Sequence, residues 1–249
     1  MQNKDSFLYG TRPVIEAIKA GKEIDKVFVQ KGLRGDVYLE LMDLIKEYNV
    51  PFQYVPIEKL NKLTMKNHQG VACFVSIISY TPIENIIPMV FEKGETPLVL
   101  ILDRITDVRN FGAIARTAEC AGIDAIIIPS RGGAQINSDA IKTSAGALNN
   151  IAVCRSENLK QTIDYLKKSG LQIIAATEKA GDYHFKIDYN PPTAIIMGSE
   201  EDGISPEYLR LADYKVSIPV LGEIESLNVS VACGVLVYEA VKQRFQYKN

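Results

Sequence analysis

The chain has 249 residues, 47% hydrophobic and 23% charged, which suits one large or two modest globular domains. Its formal net charge of −2 and pI near 5.8 argue against a uniformly basic nucleic-acid-binding protein. The four cysteines stand singly, without C-x-x-C pairs or histidines at ligand spacing, which argues against a disulfide framework or a metal site.

The N-terminus and the apolar segments indicate where the protein works. Residues 1–6 lack the basic-then-apolar pattern of a signal peptide. No apolar run approaches membrane-spanning length. With single cysteines suited to a reducing compartment, these features predict a cytoplasmic protein that does not bind membranes.

The first part of the chain alternates helix and strand patterns. Helices are predicted over residues 11–20, 36–48 and 57–63, and strands over residues 26–30, 52–55 and 71–75. We therefore expect residues 1–78 to form a small α/β domain. Residues 79–97 contain Pro82, Pro88, Gly94 and Pro97, and we expect a linker there.

The remaining residues, 98–249, predict a larger α/β domain. Strands are predicted over residues 98–102, 123–128, 151–154, 171–176, 193–197 and 214–218. Helices are predicted over about residues 111–121, 139–149, 158–169, 205–212 and 227–245. Strands separated by helices imply a mostly parallel sheet with helices on both faces.

Three polar segments follow strand-like runs in this larger domain. They are residues 110–116 (Asn-Phe-Gly-Ala-Ile-Ala-Arg), 198–203 (Gly-Ser-Glu-Glu-Asp-Gly) and 225–230 (Glu-Ser-Leu-Asn-Val-Ser). In open α/β sheets, ligands bind outside the carboxyl ends of strands, so we expect a site there. The second segment lacks the Lys-Ser/Thr of a phosphate-binding P-loop, and no G-x-G-x-x-G dinucleotide fingerprint follows any strand.

The residues of the first segment admit more than one interpretation. Asn110 is a residue type that fits a helix N-cap. Arg116 stands among small apolar residues, where a buried charge needs a partner. Two alternatives remain open for it: an ion pair with an acid such as Glu200 or Glu119, or a contact to phosphate and ribose.

The other two segments also have plain structural interpretations. Gly198 fits a tight turn after a strand. Glu200 is one of three consecutive loop acids, which are usually solvated. Ser226 and Asn228 each fit a cap of the final helix.

The order and content of the three segments resemble the signature motifs of the SpoU (TrmH) family of RNA ribose 2′-O-methyltransferases, in the SPOUT class. The resemblance implies a deep trefoil knot over about residues 193–249, a homodimer, S-adenosyl-L-methionine as cofactor and no metal. The first domain resembles the small substrate RNA-binding domain of many such enzymes, through Phe7-Leu-Tyr-Gly10 and His68-Gln-Gly-Val71.

The resemblance also implies roles for individual residues. The implied catalytic residues are Asn110, Arg116, Glu200, Ser226 and Asn228. The implied cofactor contacts, made largely through the main chain, come from Thr177, Gly198, Ile218 and Leu227. Because a guanidinium is always protonated, we expect Arg116 to fix a phosphate and stabilise the developing alkoxide instead of acting as a base. The proton would then pass to the substrate phosphate or to water.

An RNA substrate requires a local positive field in a chain of this overall charge. Before residue 80 the chain carries 11 Lys and Arg against 9 Asp and Glu, and after it 17 against 21. The candidate patch consists of Arg104, Arg109, Arg116 and Arg131, around the first segment. Arg109 also marks a departure, since many relatives have Pro-His-Asn where this chain has Val108-Arg109-Asn110.

The two-domain layout most resembles the bacterial large-subunit rRNA guanosine 2′-O-methyltransferases. We therefore expect 2′-O-methylation of a guanosine in large-subunit rRNA. One alternative is a tRNA ribose 2′-O-methyltransferase. The other is a non-catalytic RNA-binding or ribosome-assembly protein that has kept the fold.

Overall fold

The computed structural model describes residues 7–134 and 136–246. The chain divides into two compact units, one of which runs to Ser79 and includes Ile136–Ser138, while the other begins at Tyr80. Within the described residues, no helix is long and apolar enough to cross a membrane. The same residues contain no group of three His, Cys, Asp or Glu side chains placed to hold a metal ion.

The first unit is a four-stranded sheet with helices. Its elements are β1 (Phe7–Tyr9), α1 (Thr11–Lys19), β2 (Ile24–Gln30), α2 (Asp36–Glu47), β3 (Phe52–Val55), α3 (Ile57–Leu63) and β4 (Val71–Val75). The strand order is β1-β4-β2-β3, with β2 parallel to β3 and β4 antiparallel to both β1 and β2. Apolar side chains of α1 and α2 are buried together with alternate residues of β2 and β4, which forms a core of its own.

The segment predicted to be a linker contains helix α4 (Ile83–Glu92). Its Ile83, Ile86, Ile87 and Val90 recur at helical spacing and are buried in the core of the second unit. Pro88 lies inside this helix, and an internal proline normally disfavours one. The linker prediction relied on the prolines and overlooked an amphipathic helix, so it is wrong for these ten residues.

The second unit is built on a seven-stranded sheet. Its other elements are β5 (Leu98–Leu102), α5 (Val108–Cys120), β6 (Ala125–Pro129), α6 (Ser138–Thr143), β7 (Ala152–Ser156), α7 (Leu159–Lys168), β8 (Gln172–Ala176), β9 (Asp182–Tyr183), β10 (Thr193–Met197), α8 (Pro206–Leu211), β11 (Tyr214–Ser217) and α9 (Val229–Gln246). The strand order is β7-β6-β5-β10-β8-β11-β9, and neighbouring strands are parallel. The predicted mostly parallel sheet is confirmed.

Both faces of this sheet are covered. Val99 and Ile101 of β5 belong to the core that α4 and α7 close on one face. Leu100 and Leu102, which alternate with them along the strand, are also fully buried. Burial of both sets is expected for a parallel sheet with helices on each side.

One predicted helix, residues 139–149, is interrupted. Helix α6 ends at Thr143, and a separate 3-10 turn spans Ala147–Asn149. Between them Ala145 and Gly146 have φ angles of +50° and +87°, in the left-handed region. Two successive residues in that region end an α-helix, so the apolar pattern that suggested one helix spans two pieces.

Arg244 of α9 donates hydrogen bonds to backbone carbonyls near the amino-terminal ends of β5 and β10. Its guanidinium donates to Tyr189 O at 2.9 Å, Thr96 O at 2.6 Å, Pro97 O at 3.1 Å and Pro191 O at 2.9 Å. Burial lowers the pKa of this guanidinium, an effect opposed by the charge of Asp124. The arginine therefore joins the final helix to the segments that precede β5 and β10.

We expect Arg244→Met to lower the free energy of unfolding by about 3 kcal/mol, because several charge-assisted hydrogen bonds are lost at once. Arg244→Lys should restore only part of that loss, since one ammonium cannot reach carbonyls on both segments. Urea denaturation measures the difference. Arg210→Met, at an exposed position of α8, is the matched control and should stay within about 0.5 kcal/mol of the unchanged protein. Equal stability of the two variants would contradict the prediction.

Candidate active site

The sheet order brings the three polar segments to one edge. Strands β10, β8 and β11 are neighbours and parallel, so their carboxyl ends lie side by side. Gly198, Thr177 and Ile218 directly follow these strands. The backbone N–H of Thr177 donates to Val216 O at 2.9 Å, which ties two of the strand ends together. Three of the four predicted cofactor residues are thus adjacent in the fold.

A hydrogen-bonded cluster joins the three segments. Asn110 Nδ2 and Asn228 Nδ2 each donate to Glu200 Oε1 at 2.9 Å. Asn228 Nδ2 also lies 3.0 Å from Asn110 Oδ1, to which it donates. One residue from each predicted segment therefore meets the other two, although 118 residues separate Asn110 from Asn228.

The Asn228 side chain caps a helix and also helps to hold Glu200 in position. Its Oδ1 accepts from Ser230 N at 3.0 Å and Ser230 Oγ at 2.6 Å, and more weakly from Val231 N at 3.4 Å. It therefore caps α9, as its residue type predicts. Since a carboxylate only accepts hydrogen bonds, the amide nitrogen must face Glu200 and the amide oxygen must face the helix. Each end of the side chain holds the other in place.

Asn110 is not the cap of its helix. Asp107 is the N-cap of α5, and its Oδ1 accepts from Arg109 N at 2.7 Å and Asn110 N at 2.9 Å. The hydrogen bond from Asn110, together with that from Arg109, lowers the pKa of the Asp107 carboxyl. Because Asp107 takes the capping role, the Asn110 side chain is left to reach Glu200. The N-cap interpretation of Asn110 is therefore wrong, and it overlooked Asp107, three residues earlier.

Arg116 lies apart from this cluster. It is exposed on α5, and among the described ion pairs none includes it. Six residues advance a helix by about 600°, so Arg116 points about 120° around the axis from Asn110. Of the two alternatives left open for Arg116, the structural ion pair with Glu200 or Glu119 is absent from the described contacts.

Ser226 and Leu227 precede the cap of α9 and are also exposed. Ser226 forms no hydrogen bond with any described residue, so the structure does not join it to Asn110, Glu200 and Asn228. Leu227 is 42% exposed, and Leu221 and Ile224 of the same loop are more so. The loop over residues 218–228 thus presents apolar side chains and main-chain groups next to the cluster.

Gly198 has a packing reason to be glycine. The turn that follows β10 returns on itself, with Ser199 N and Gly203 N each donating to the carbonyl of the other residue at 3.1 and 3.0 Å. A Cβ on residue 198 would overlap the backbone of Gly203 and Ile204 and lie 2.5 Å from the Gly203 oxygen. A side chain has no room at this position, so the tight-turn interpretation of Gly198 holds whatever ligand contacts it makes.

Sequence patterns gave no sign of a second network, centred on Arg104. The Arg104 guanidinium donates to Asp103 at 3.2 Å and to Asp202 at 2.9 Å. Asp103 is 2% exposed and its other oxygen accepts from Ser205 N at 2.6 Å. No local motif connects residues about 100 positions apart, so only the parallel pairing of β5 with β10 brings them together.

A cavity of about 270 Å³ opens beside both networks. It is lined by residues 104–107, 110, 132, 199–202 and 229. On the side of residues 199–202 the lining is mostly acidic, while Ile105 and Val229 contribute apolar side chains. The cavity offers carboxylates, amide groups and main-chain groups. The exposed Arg109 is next to Asn110, which is one of the lining residues.

The sequence matches two family profiles that together span almost the whole chain. The SpoU rRNA methylase family matches residues 97–238. A profile for RNA 2′-O ribose methyltransferase substrate binding matches residues 7–81. The boundary between the matches falls close to the boundary between the compact units.

Individual proteins of known name or structure agree with these profiles. A putative TrmH family tRNA/rRNA methyltransferase of Bacillus subtilis is 31% identical over 98% of each chain. A crystal structure of an rRNA methyltransferase from Sinorhizobium meliloti, bound to AdoMet, aligns with a TM-score of 0.61 and 25% identity over 95% of this chain and 87% of that one. The A. aeolicus TrmH/SpoU tRNA modifying enzyme aligns with a TM-score of 0.57 and 32% identity over 66% of this chain and 85% of that one.

Proposed function

Because the chain belongs to the SpoU family and is an S-adenosylmethionine-dependent RNA 2′-O-methyltransferase, we propose that its substrate is a guanosine of large-subunit ribosomal RNA. The cluster of Asn110, Glu200 and Asn228 at the mouth of the cavity is the observation that carries the assignment of the active site. Each residue comes from a different signature segment, and the amides of Asn110 and Asn228 converge on one oxygen of the Glu200 carboxylate.

The extent of the alignments supports ribosomal over transfer RNA. The rRNA methyltransferase of S. meliloti aligns with 95% of this chain, including the first unit. The tRNA modifying enzyme of A. aeolicus aligns with only 66% of it. A tRNA ribose is the second candidate, since the B. subtilis relative is named for tRNA and rRNA together.

The substrate is identified by incubating the purified protein with methyl-labelled S-adenosylmethionine and separate pools of rRNA and tRNA. Both pools come from cells that lack the gene, so that the target ribose is unmethylated. We expect label in large-subunit rRNA and one 2′-O-methylguanosine on mapping by mass spectrometry. Label confined to tRNA would transfer the assignment to the second candidate.

The residues at the sheet edge fit the cofactor. S-adenosylmethionine, when bound, supplies a methyl group on a positively charged sulfonium sulfur. Apolar Leu221, Ile224 and Leu227 offer surface for its adenine ring, while the acids after Gly198 complement its positive charges. We propose that main-chain groups of Gly198, Ile218 and Leu227 hold it, with Thr177 at the neighbouring strand end.

The trefoil knot stays a prediction that the strand order supports. β10 lies between β5 and β8, although it follows β8 in the chain. After β11 the chain returns to the loop that follows β10, where Asn228 meets Glu200. Passage of residues 218–228 through that loop would account for this return. A crystal structure with the cofactor bound provides the test.

The placement of the site residues supports a role for each of them. Glu200 Oε1 holds the amides of Asn110 and Asn228, and Oε2, which has no hydrogen bond among the described residues, is left for the ribose hydroxyls. Arg116 is exposed and forms no ion pair among the described residues. It binds the phosphate next to the target ribose and stabilises the alkoxide that forms as the 2′-hydroxyl attacks. The proton leaves to the substrate phosphate or to water. Ser226 contacts RNA or cofactor through a hydroxyl that has no described protein partner.

A homodimer brings Arg116 to the cluster. Within one chain Arg116 points away from Asn110, yet both belong to the same signature segment. Helix α9 exposes Val231, Tyr238 and Phe245, seven residues apart, as one apolar stripe. A two-fold interface along this stripe would cover it and place Arg116 of one protomer near Asn228 of its partner.

We expect the protein to be a stable dimer by light scattering at micromolar concentration, and Val231→Asp with Tyr238→Asp to yield an inactive monomer. Mixing inactive Arg116→Ala and Asn228→Ala chains should restore activity, because each mixed dimer retains one complete site. After subunit exchange the expected level is about a quarter of the unchanged protein's activity. A fully active monomer, or no recovery on mixing, would refute the shared site.

The first unit is proposed to supply RNA affinity and site choice. Its net charge is small, so we expect recognition of RNA shape with a modest dependence on salt. A chain beginning at residue 80, which retains the core of the second unit, should bind the cofactor with unchanged affinity. We expect its kcat/KM on full-length rRNA to fall about 100-fold or more. Undiminished activity would contradict this division of labour.

A further inference from the structure

Arg104 follows β5 in a backbone conformation that favours glycine. Its φ angle is +57°, where a residue with a Cβ is strained. Strained backbone persists where the surrounding contacts over-determine it, and such positions cluster at functional sites. The contacts of the Arg104 side chain are therefore expected to matter.

Those contacts engage each nitrogen of the guanidinium. Nε donates to Asp103 Oδ1 at 3.2 Å, Nη1 to Asp202 Oδ2 at 2.9 Å and Nη2 to Gly203 O at 3.2 Å. A planar fork suits this arrangement because its donors point in fixed directions. Arg104 thereby differs from Arg109, which is exposed.

Two of the three partners of Arg104, Asp202 and Gly203, lie on the turn that carries Glu200. Ser199 and Gly203 pair with each other at the base of this turn, and Glu200 stands directly after Ser199. On the far side, buried Asp103 holds Ser205 N. Arg104 and Asp103 together hold the second half of the turn and Ser205 against the end of β5.

We infer that Arg104 is a positioning residue for methyl transfer: its guanidinium clamps the 199–203 turn so that the Glu200 carboxylate stays between the amides of Asn110 and Asn228. It also neutralises Asp202, one of three consecutive acids that would repel the RNA backbone. The inference rests on the proposed role of Glu200.

The decisive variant is Arg104→Gly, because glycine relieves the backbone strain while it removes the fork. We expect kcat to fall about 30- to 100-fold, with KM for RNA and the Kd for S-adenosylmethionine within about threefold. The melting temperature should fall, because buried Asp103 loses its cationic partner, so kcat is compared at a temperature well below both melting points. Arg104→Lys should recover little, whereas Asp202→Ala should lower kcat in the same direction, and the double variant Arg104→Gly/Asp202→Ala should show far less than the summed effect.

A second measurement needs no turnover. The side-chain amide signals of Asn110 and Asn228 in ¹⁵N-labelled protein report their hydrogen bonds to Glu200. Arg104→Gly should shift or broaden both signals, while Arg210→Ala, an exposed arginine on α8, should leave them in place. An unchanged kcat together with unchanged amide signals would overturn the inference.

The outcomes separate this inference from the proposed function. A raised KM for RNA with unchanged kcat would make Arg104 a phosphate contact and overturn the positioning role. If the unchanged protein methylates neither RNA pool, the proposed function fails, and the amide signals still decide whether Arg104 holds Glu200 in place.

Discussion

Replacing Arg116 by alanine is expected to abolish turnover while S-adenosylmethionine still binds. In the proposed mechanism the guanidinium lies on the RNA side of the site, where it fixes a phosphate and meets the charge that develops on the ribose oxygen. Loss of one preorganised donor of this kind lowers kcat by about 10²- to 10³-fold, and loss of a cationic fork at a phosphate by more. We therefore expect a decrease of at least about 10³-fold. Because Arg116 is exposed and has no described partner, the melting temperature should not change.

Single-turnover kinetics and calorimetry together test this role. Arg116→Lys should also fail, since a point ammonium does not reproduce the two-pronged contact to phosphate. Arg210→Ala removes an equally exposed arginine from α8 and should keep full activity. If the Arg116→Ala protein no longer bound S-adenosylmethionine, the assignment of Arg116 to the RNA side would be wrong.

Gly198→Ala is expected to cost both stability and activity. The added methyl group would overlap the backbone of Gly203 and Ile204, and backbone cannot move aside as a flexible side chain does. Overpacking of this kind costs typically 1–3 kcal/mol and occasionally more, so we expect about 3 kcal/mol. For a chain of this size the melting temperature should fall by roughly 6–12 °C.

Activity should fall even at temperatures where the variant is fully folded, because the displaced turn carries Glu200. Gly181→Ala is the matched control: nothing lies within 4 Å of a Cβ there and its φ angle is not positive. It should melt within about 2 °C of the unchanged protein. If the two alanine variants had the same melting temperature, the turn after β10 would be less tightly packed than its contacts indicate.

Local patterns predicted most of the fold. Strands such as Val71–Val75, Leu98–Leu102 and Thr193–Met197 are short apolar runs between polar turns, and their bounds match the predicted ones. The prediction failed where two local signals conflicted. Pro88 outweighed the helical spacing of Ile83, Ile86 and Ile87, and paired left-handed residues divided the predicted helix at residues 139–149.

The sequence by itself was enough to predict the family, which the family profiles confirm, and the candidate residues of the site. Three spaced segments, which contain Asn110, Arg116, Glu200 and Asn228, resemble the signature motifs of that family. Their order along the chain is enough for this inference. It needs no knowledge of which strands are neighbours.

Only the tertiary structure decided how these residues act together. The sheet order puts β10 between β5 and β8, and this places Glu200 within 2.9 Å of the Asn110 and Asn228 amides. It also joins Arg104 to Asp202, a contact that no local pattern announces. Contacts between residues about 100 positions apart depend on strand pairing, and pairing is settled by packing of the whole sheet, which a segment-by-segment pattern does not contain.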